Sequence, residues 1–538
     1  MAGARGFAKH LELDLTNLPD DGRGNMVITP NTETRFWSSY QEAIFEWFAH
    51  GKGHLVVDAV AGSGKTTTII EGINHAWEDD VLLTAFTKDI AEVLNQRLAG
   101  KPGAQAKTLH GVGMRYIGRQ YRGIPINNKD RARWLVDQVG GRKLPFQVMR
   151  EVANLHTKAR EVSPLEMSQE IMLAIMEKYG FGLDDNWGPS DDELAALAIK
   201  AYRFAADNPP DRRVGVDFAD MIFLPLQQGL LTPDYPLIVV DETQDMNKGQ
   251  LEMVVRISDG RICIVGDPYQ SIYLFRGAET GGMTQMKDRL QAQKLPLSVT
   301  YRCGHAIVAE AQKLVPHIEA GEKNPEGTII LDPGGNYLFD NVTAGDFILS
   351  RINAPLVKLC LQLLAAGKRA RIKGRDISKQ ILKILKRIKA DKSWSLAYLE
   401  EKVREYEVEH TTRLASNGDP EGADRVRDNC AVLFFIAEDS RDMSQFYDKC
   451  SYLFVKDVDV SEYIMLSSVH KAKGLEADTV YVLADTLYRF GYSEEERNIH
   501  YVAITRAKYT LYLVDGLGLT PKQKEAKAKR LEQEAAGI

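Results

Sequence analysis

Short apolar runs punctuate this chain, and between them lie longer stretches with apolar positions at helical spacing. Residues 36–50 carry that helical spacing, with Ser38 or Ser39 suited to the N-cap. Leu55 to Val60 is an apolar run that ends in glycines. It predicts a buried strand entering a phosphate loop, with a helix from about Lys65. Val81 to Phe86 predicts another strand, followed by a helix over 88–98. Pro236 to Asp241 and Arg261 to Asp267 predict two more buried strands. Strands alternating with helices imply a parallel α/β sheet.

Residues 114–210 break the rhythm, being helix-rich and mixed in charge. The alternation resumes after about 295, with strands expected at 346–350, 463–468 and 479–483, and 375–448 is again helical and highly charged. The pattern predicts two α/β lobes, each with a helical insertion. The first lobe is expected at 34–113 and 211–294, with its insertion at 114–210. The second is expected at 295–374 and 449–520, with its insertion at 375–448. Residues 1–33 read as an N-terminal extension and 521–538 as a tail with a solvated helix.

Composition narrows the class. A chain of 538 residues should form several domains. No stretch approaches the ~20 apolar residues of a membrane span, and no apolar run follows Arg5 and Lys9 as a secretory signal would require. The cysteines at 263, 303, 360, 430 and 450 form no Cys-x-x-Cys pair, so neither a zinc site nor a disulfide framework is indicated. A cytoplasmic, reducing setting is expected. The net charge of −6 speaks against a basic surface throughout. A nucleic-acid groove, however, needs only local positive charge.

Four segments carry the chemistry: Ala59 to Thr66, Val239 to Asp245, Val469 to Glu476 and Tyr501 to Lys508. In the first, Gly62 and Gly64 let backbone N–H groups face phosphates, Lys65 reaches the β/γ-phosphates, and Thr66 offers a hydroxyl to Mg²⁺. Ala61, Ser63 and Thr67 complete this ATP-binding loop. Asp241 and Glu242 end a buried strand and divide the labour: Asp241 for the metal shell, Glu242 for the attacking water. Gln270 ends the next strand, where it would sense the γ-phosphate or serve as an ordinary polar loop residue. Arg302 and Arg506 are the candidates to stabilise the transferring phosphoryl group. Two motif clusters more than two hundred residues apart describe two lobes that close on one nucleotide, as in a motor.

In this order the motifs resemble the UvrD/PcrA/Rep group of superfamily 1 DNA helicases, over about 36 to 515. Phe86-Thr87-Lys88, Thr108 to His110, Asp217 to Asp220 and Gly266 to Ala278 are similar to that group's DNA-contact and coupling motifs. The resemblance implies two RecA-like lobes of the P-loop NTPase fold. It implies that Gln41 reads adenine, Tyr301 stacks on it, Glu476 binds the ribose, and Arg302 and Arg506 act as fingers from the same chain. It further implies 3′→5′ movement on single-stranded DNA, with Phe86, Phe218, Tyr273 and Phe275 as stacking platforms, since every base has a π-face. Thr87, His110, Arg276 and His470 would touch the DNA backbone or couple it to ATP. Single-strand/duplex junctions are the expected partners. For each aromatic taken alone, core packing is the more common role.

The second-lobe insertion is much shorter than in the well-known members, which slightly favours a second reading, whereas the complete motif set favours the first. In the second reading, the chain is a DNA-sensing ATPase subunit that regulates a partner nuclease or displaces DNA-bound proteins. Arg371 to Lys392 forms a basic run expected on an amphipathic helix. That helix is either core-facing with a solvated basic side or a phosphate contact.

Overall fold

The computed structural model describes residues 36–127, 130–140, 143–179, 181–182, 189–272, 281–416, 420–455, 459, 461–488, 491–519 and 525. The extension 1–33 lies outside them, as does the tail apart from Glu525. Two units divide the chain. One comprises the described residues of Tyr40–Ser298 with those of His410–Asp424, and the other Phe36–Ser39, Val299–Glu409 and the described residues from Arg425. The expected assignment of all of 375–448 to the second lobe differs from this division.

In the first unit, β1 (Leu55–Ala59), β2 (Val81–Thr84), β3 (Ala104–Lys107), β4 (Tyr235–Val240), β5 (Ser258–Gly266) and β6 (Gln293–Leu297) form one sheet. Their order is β3-β2-β4-β5-β1-β6, and neighbouring strands are parallel. Both faces are covered, which is why the central strands read as unbroken apolar runs. Leu55, Val57, Leu83 and Val239 pack on one face against Phe48, Ile69 and Ile73. Val56, Leu82, Ile238 and Ile264 pack on the other against Val112, Ile222 and Val254. The alternation is the period of two that a strand imposes.

The first lobe was expected to end at 294. Instead β6 pairs with β1 from Gln293 to Leu297, so the sheet runs past that point. As an edge strand, mostly exposed and containing Pro296, β6 lacks the apolar run that marks its neighbours.

Helices Arg131–Gln138, Phe146–Val162, Gln169–Tyr179 and Asp191–Asp207 pack on a core of their own, including Leu135, Val152, Leu155, Ile175 and Leu194. A buried charge cluster ties this bundle to the segment after it. Arg131 Nε lies 2.7 Å from Asp220 Oδ2. Arg160 lies 2.7 Å from Asp217 and also bonds Asp220. Breaking a buried pair from one side is strongly destabilising, because the other charge is left in the interior.

In the second unit, β7 (Val299–Thr300) and β8 (Glu319–Ala320) form a small parallel pair. The main sheet comprises β9 (Thr328–Pro333), β10 (Phe347–Ser350), β11 (Ala370–Lys373), β12 (Phe454–Val455), β13 (Ile464–Ser468), β14 (Ala477–Leu483) and β15 (Ala507–Asp515). Its order is β12-β11-β13-β10-β14-β15-β9, again parallel throughout. Helices Arg375–Arg387, Leu396–Ser416, Pro420–Glu438 and Met443–Tyr452 lie between β11 and β12. The basic run therefore starts on a strand, not a helix: Arg371 is in β11, and Gly374 at φ 152° separates strand from helix. Ile377, Ile381, Ile384 and Leu385 are buried, while Lys379, Lys383, Lys386 and Arg387 are exposed. The core-facing reading accounts for the apolar half of this helix. Among the described residues no helix is long and apolar enough to cross a membrane.

Candidate functional site

At the C-terminal end of β1 the chain turns through Gly62 and Gly64, at φ 73° and 74°, into helix Lys65–His75. Only glycine takes such backbone angles without strain. Gly64 is the N-cap residue and gives no side-chain cap. The first N–H groups of the helix and its positive dipole end are thus arranged for an anion. Ser63 is buried and braces the loop by donating to the Val60 carbonyl at 2.9 Å.

Three residues expected at the nucleotide are held by this helix. Thr66 Oγ1 donates to Asp241 Oδ2 at 3.0 Å. Gln41, buried, donates to Thr68 Oγ1 at 2.9 Å, and Thr68 donates in turn to the Gly64 carbonyl. Thr67 accepts from Arg97 at 3.2 Å. Thr68, which sequence reasoning passed over, is the link between Gln41 and the loop. A hydroxyl one turn into the helix was its only signal.

Asp241 and Glu242 follow β4 directly. Burial and the neighbouring Glu242 charge push the Asp241 carboxyl up, against the pull of Lys65. Glu242 sits at φ 52°, a left-handed conformation uncommon for a non-glycine residue. Such a strained residue persists only where its surroundings hold it, and functional sites are where it is found. Gln244 donates to Glu242 Oε2 at 2.5 Å. Its own carbonyl oxygen accepts from the Asp267 N–H at 3.2 Å. Asp267 then accepts from the Gln270 amide at 2.7 Å. One hydrogen-bonded chain therefore joins Glu242 to Gln270 across two strand ends. The intermediate members are Gln244, which the sequence reading took only as support for the acidic pair, and Asp267, which it did not single out. Gly266 leaves room for this link, because a Cβ there would stand 2.5 Å from Gln244 Oε1 and push it aside.

Thr66 and Asp241 present hard oxygen donors side by side, the set Mg²⁺ prefers. The acidic pair at Asp241–Glu242 also has a charge that a divalent cation would relieve. The residues present fit that ion.

In the second unit, Arg302 donates to Glu476 Oε2 at 2.6 Å and Lys508 approaches Glu476 Oε1 at 3.0 Å. Burial alone would raise the Glu476 carboxyl, but the two cations hold it down at about 2. Arg506 is 1% exposed. It donates to the Val502 and Leu475 carbonyls and to Thr505 Oγ1. Among the described residues no carboxylate pairs with it, and burial, aided by Arg302, lowers it to about 9. Tyr301 is 43% exposed. His470 lies in the short helix Val469–Ala472.

Of the residues expected at DNA, Phe86, His110 and Phe218 line one cavity of about 320 Å³ in the first unit. Phe86 is 57% and Phe218 55% exposed, so neither ring is core packing. The His110 ring meets Phe218 edge-on at 6.0 Å, and burial lowers its pKa. Thr87 accepts from the Ile90 N–H at 3.2 Å as N-cap of helix Lys88–Arg97, a role that already uses its hydroxyl. Asp245, Met246 and Asn247 complete the wall. Tyr273, Phe275 and Arg276 lie outside the described residues.

Parallel sheets, with a phosphate loop after β1 and a carboxylate pair after β4 of the same sheet, define a P-loop nucleoside-triphosphatase fold of the RecA-like kind. Residues 40–291 match the UvrD/REP helicase N-terminal domain and 378–515 the UvrD-like helicase C-terminal domain, together more than half of the chain. The chain belongs to the UvrD/PcrA/Rep family of superfamily 1. It is similar to the ATP-dependent DNA helicase PcrA of Staphylococcus epidermidis, 24% identical over 313 residues, covering 53% of this chain and 41% of that protein. PcrA of Staphylococcus aureus is also 24% identical, over 51% of this chain and 39% of its own length. The match thus spans about two fifths of these curated relatives.

Proposed function

We propose that the protein is an ATP-dependent 3′→5′ single-stranded DNA translocase and helicase. One observation carries this reading. The segment from Asp241 to Asn247 begins at the carboxylate pair and ends in the wall of the Phe86/His110/Phe218 cavity. A change at the phosphates therefore reaches the cavity through a few bonded residues.

In this reading Lys65 and the loop N–H groups hold the phosphates, and Glu242 takes the proton of the attacking water. Thr66 and Asp241 would hold Mg²⁺, which when bound neutralises charge on the phosphates. Gln270 senses the γ-phosphate through the chain that ends at Glu242. Arg302 and Arg506 stabilise the transferring group. Arg506 suits this because its buried charge lacks an anionic partner. Arg302 would have to exchange Glu476 for phosphate. Gln41 and Tyr301 hold adenine and Glu476 the ribose. The relatives named above are DNA helicases by name, which supports DNA as the track.

ATP hydrolysis by the purified chain, measured with no nucleic acid, single-stranded DNA, duplex DNA and RNA, tests the proposal. Stimulation by single-stranded DNA, followed by directional unwinding, is the expected result. Slow turnover indifferent to every nucleic acid would overturn it in favour of a partner-dependent DNA-sensing subunit. The small insertion between β11 and β12, four helices among the described residues, is the observation that favours that second reading.

A further inference from the structure

A second cavity, of about 570 Å³, adjoins the first in the same unit. Phe218, Ala219 and Glu161 line both. The second runs along helices Arg131–Gln138 and Phe146–Val162 of the helical bundle. Its wall combines an exposed aromatic ring with cations. Phe146 is 61% exposed, and the Arg133 guanidinium sits 5.7 Å above its ring. Arg150 is exposed and enters no ion pair among the described residues. Lys158 has a long contact, 3.4 Å, with Glu161 and lies 4.5 Å from the centre of the Tyr179 ring. Asp217, the other acidic residue of the wall, is already neutralised by Arg160 at 2.7 Å. The groove is therefore positive on balance in a chain whose net charge is −6.

An aromatic face beside guanidinium groups that enter no ion pair among the described residues is the chemistry of single-strand binding: a base stacks and phosphates are held, with no base preference. We infer that this groove is a second single-strand subsite. The nucleotides next to those in the first cavity lie along the helical bundle, one base stacked on Phe146 and the phosphates held by Arg133 and Arg150. Phe218 forms the step between the two subsites. The assignment rests on the single-strand reading of the first cavity. It adds a longer footprint and a role for the bundle in gripping the strand.

Fluorescence anisotropy with the full chain and oligothymidylates of about four and about sixteen nucleotides tests it, those lengths spanning the usual single-strand site sizes. Phe146→Ala should leave the short strand unaffected and weaken the long strand about tenfold. Phe146→Trp should restore the long-strand affinity, which a folding defect would not allow. Arg150→Gln should reduce the salt slope for the long strand by about one. Phe86→Ala should weaken both lengths. Equal affinity of wild type and Phe146→Ala for the long strand would overturn the subsite, as would equal losses at both lengths. Should Phe86→Ala change neither length, the first cavity itself is not a strand site, and both assignments fall.

Discussion

Thr66 Oγ1 donates a 3.0 Å hydrogen bond to Asp241 Oδ2, although the two residues are 175 positions apart in the chain. The bond joins the phosphate-loop helix to the end of β4 and aligns two oxygens toward one point. Lys65 precedes Thr66 but touches neither this bond nor the Phe86 cavity wall. Lys65→Ala is expected to lower ATP turnover by at least ~10²-fold, the scale of a lost transition-state donor. Single-strand affinity should stay within about twofold. Steady-state hydrolysis and anisotropy on the same preparation check both halves, and normal turnover would remove Lys65 from the site.

Gln244 bridges Glu242 and Asp267, so it couples the carboxylate pair to Gln270. Gln244→Ala deletes both bonds and leaves Lys65, Thr66 and Asp241 in place. We expect DNA-stimulated hydrolysis to fall by about tenfold, the effect of one charge-assisted hydrogen bond, while basal hydrolysis changes less. Equal loss of both rates would mean that Gln244 serves the chemistry rather than the coupling.

Much of this was legible before any coordinates. β1, β4 and β5 announced themselves because both faces of a parallel sheet are buried, and the glycines of the phosphate loop because helix entry there needs positive φ. β6 was missed for the converse reason, as an exposed edge strand has no apolar run to read. At the site, the residues proposed to touch phosphate stand in short motifs, whereas those that hold them in place are scattered. Arg160 and the Asp217–Asp220 segment lie far apart in the chain and meet only in the fold. Likewise, nothing local in the sequence tells that Arg302 pairs with Glu476, 174 residues away.

That pair sets a pH-dependent term in the second unit. Glu476 is held at about 2 against an ordinary 4.5. A depressed carboxylate contributes stability that is fully present above 4.5 and is lost as pH falls toward 2. Glu476→Gln should therefore destabilise the chain by about 3 kcal/mol at neutral pH. The difference from wild type should shrink below pH 4.5. Denaturant unfolding at pH 7 and pH 3 checks it; a difference that does not change with pH would mean that the charge is not what stabilises.

The buried cluster of the helical bundle gives a second acid-sensitive element with its own reporter. His156 is fully buried, bonds the Ala132 carbonyl at 2.9 Å, and has Arg160 and Arg131 as neighbours. Burial, with Arg160 adding repulsion, lowers it from 6.5 to about 3. A histidine kept neutral in the fold contributes stability above 6.5 that is lost as pH falls toward 3, at about 1.4 kcal/mol per pH unit. Asp220 is raised by burial and offsets part of this slope, but it does so equally in a variant that retains it. His156→Gln can keep the bond to Ala132 and cannot titrate. Its unfolding free energy should fall less steeply than wild type's between pH 6.5 and 4, with the two converging at low pH. Trp134, whose ring lies 5.2 Å from the Arg131 guanidinium, reports on this bundle by fluorescence. Parallel pH profiles for the two proteins would mean that His156 gains its proton without opening the cluster.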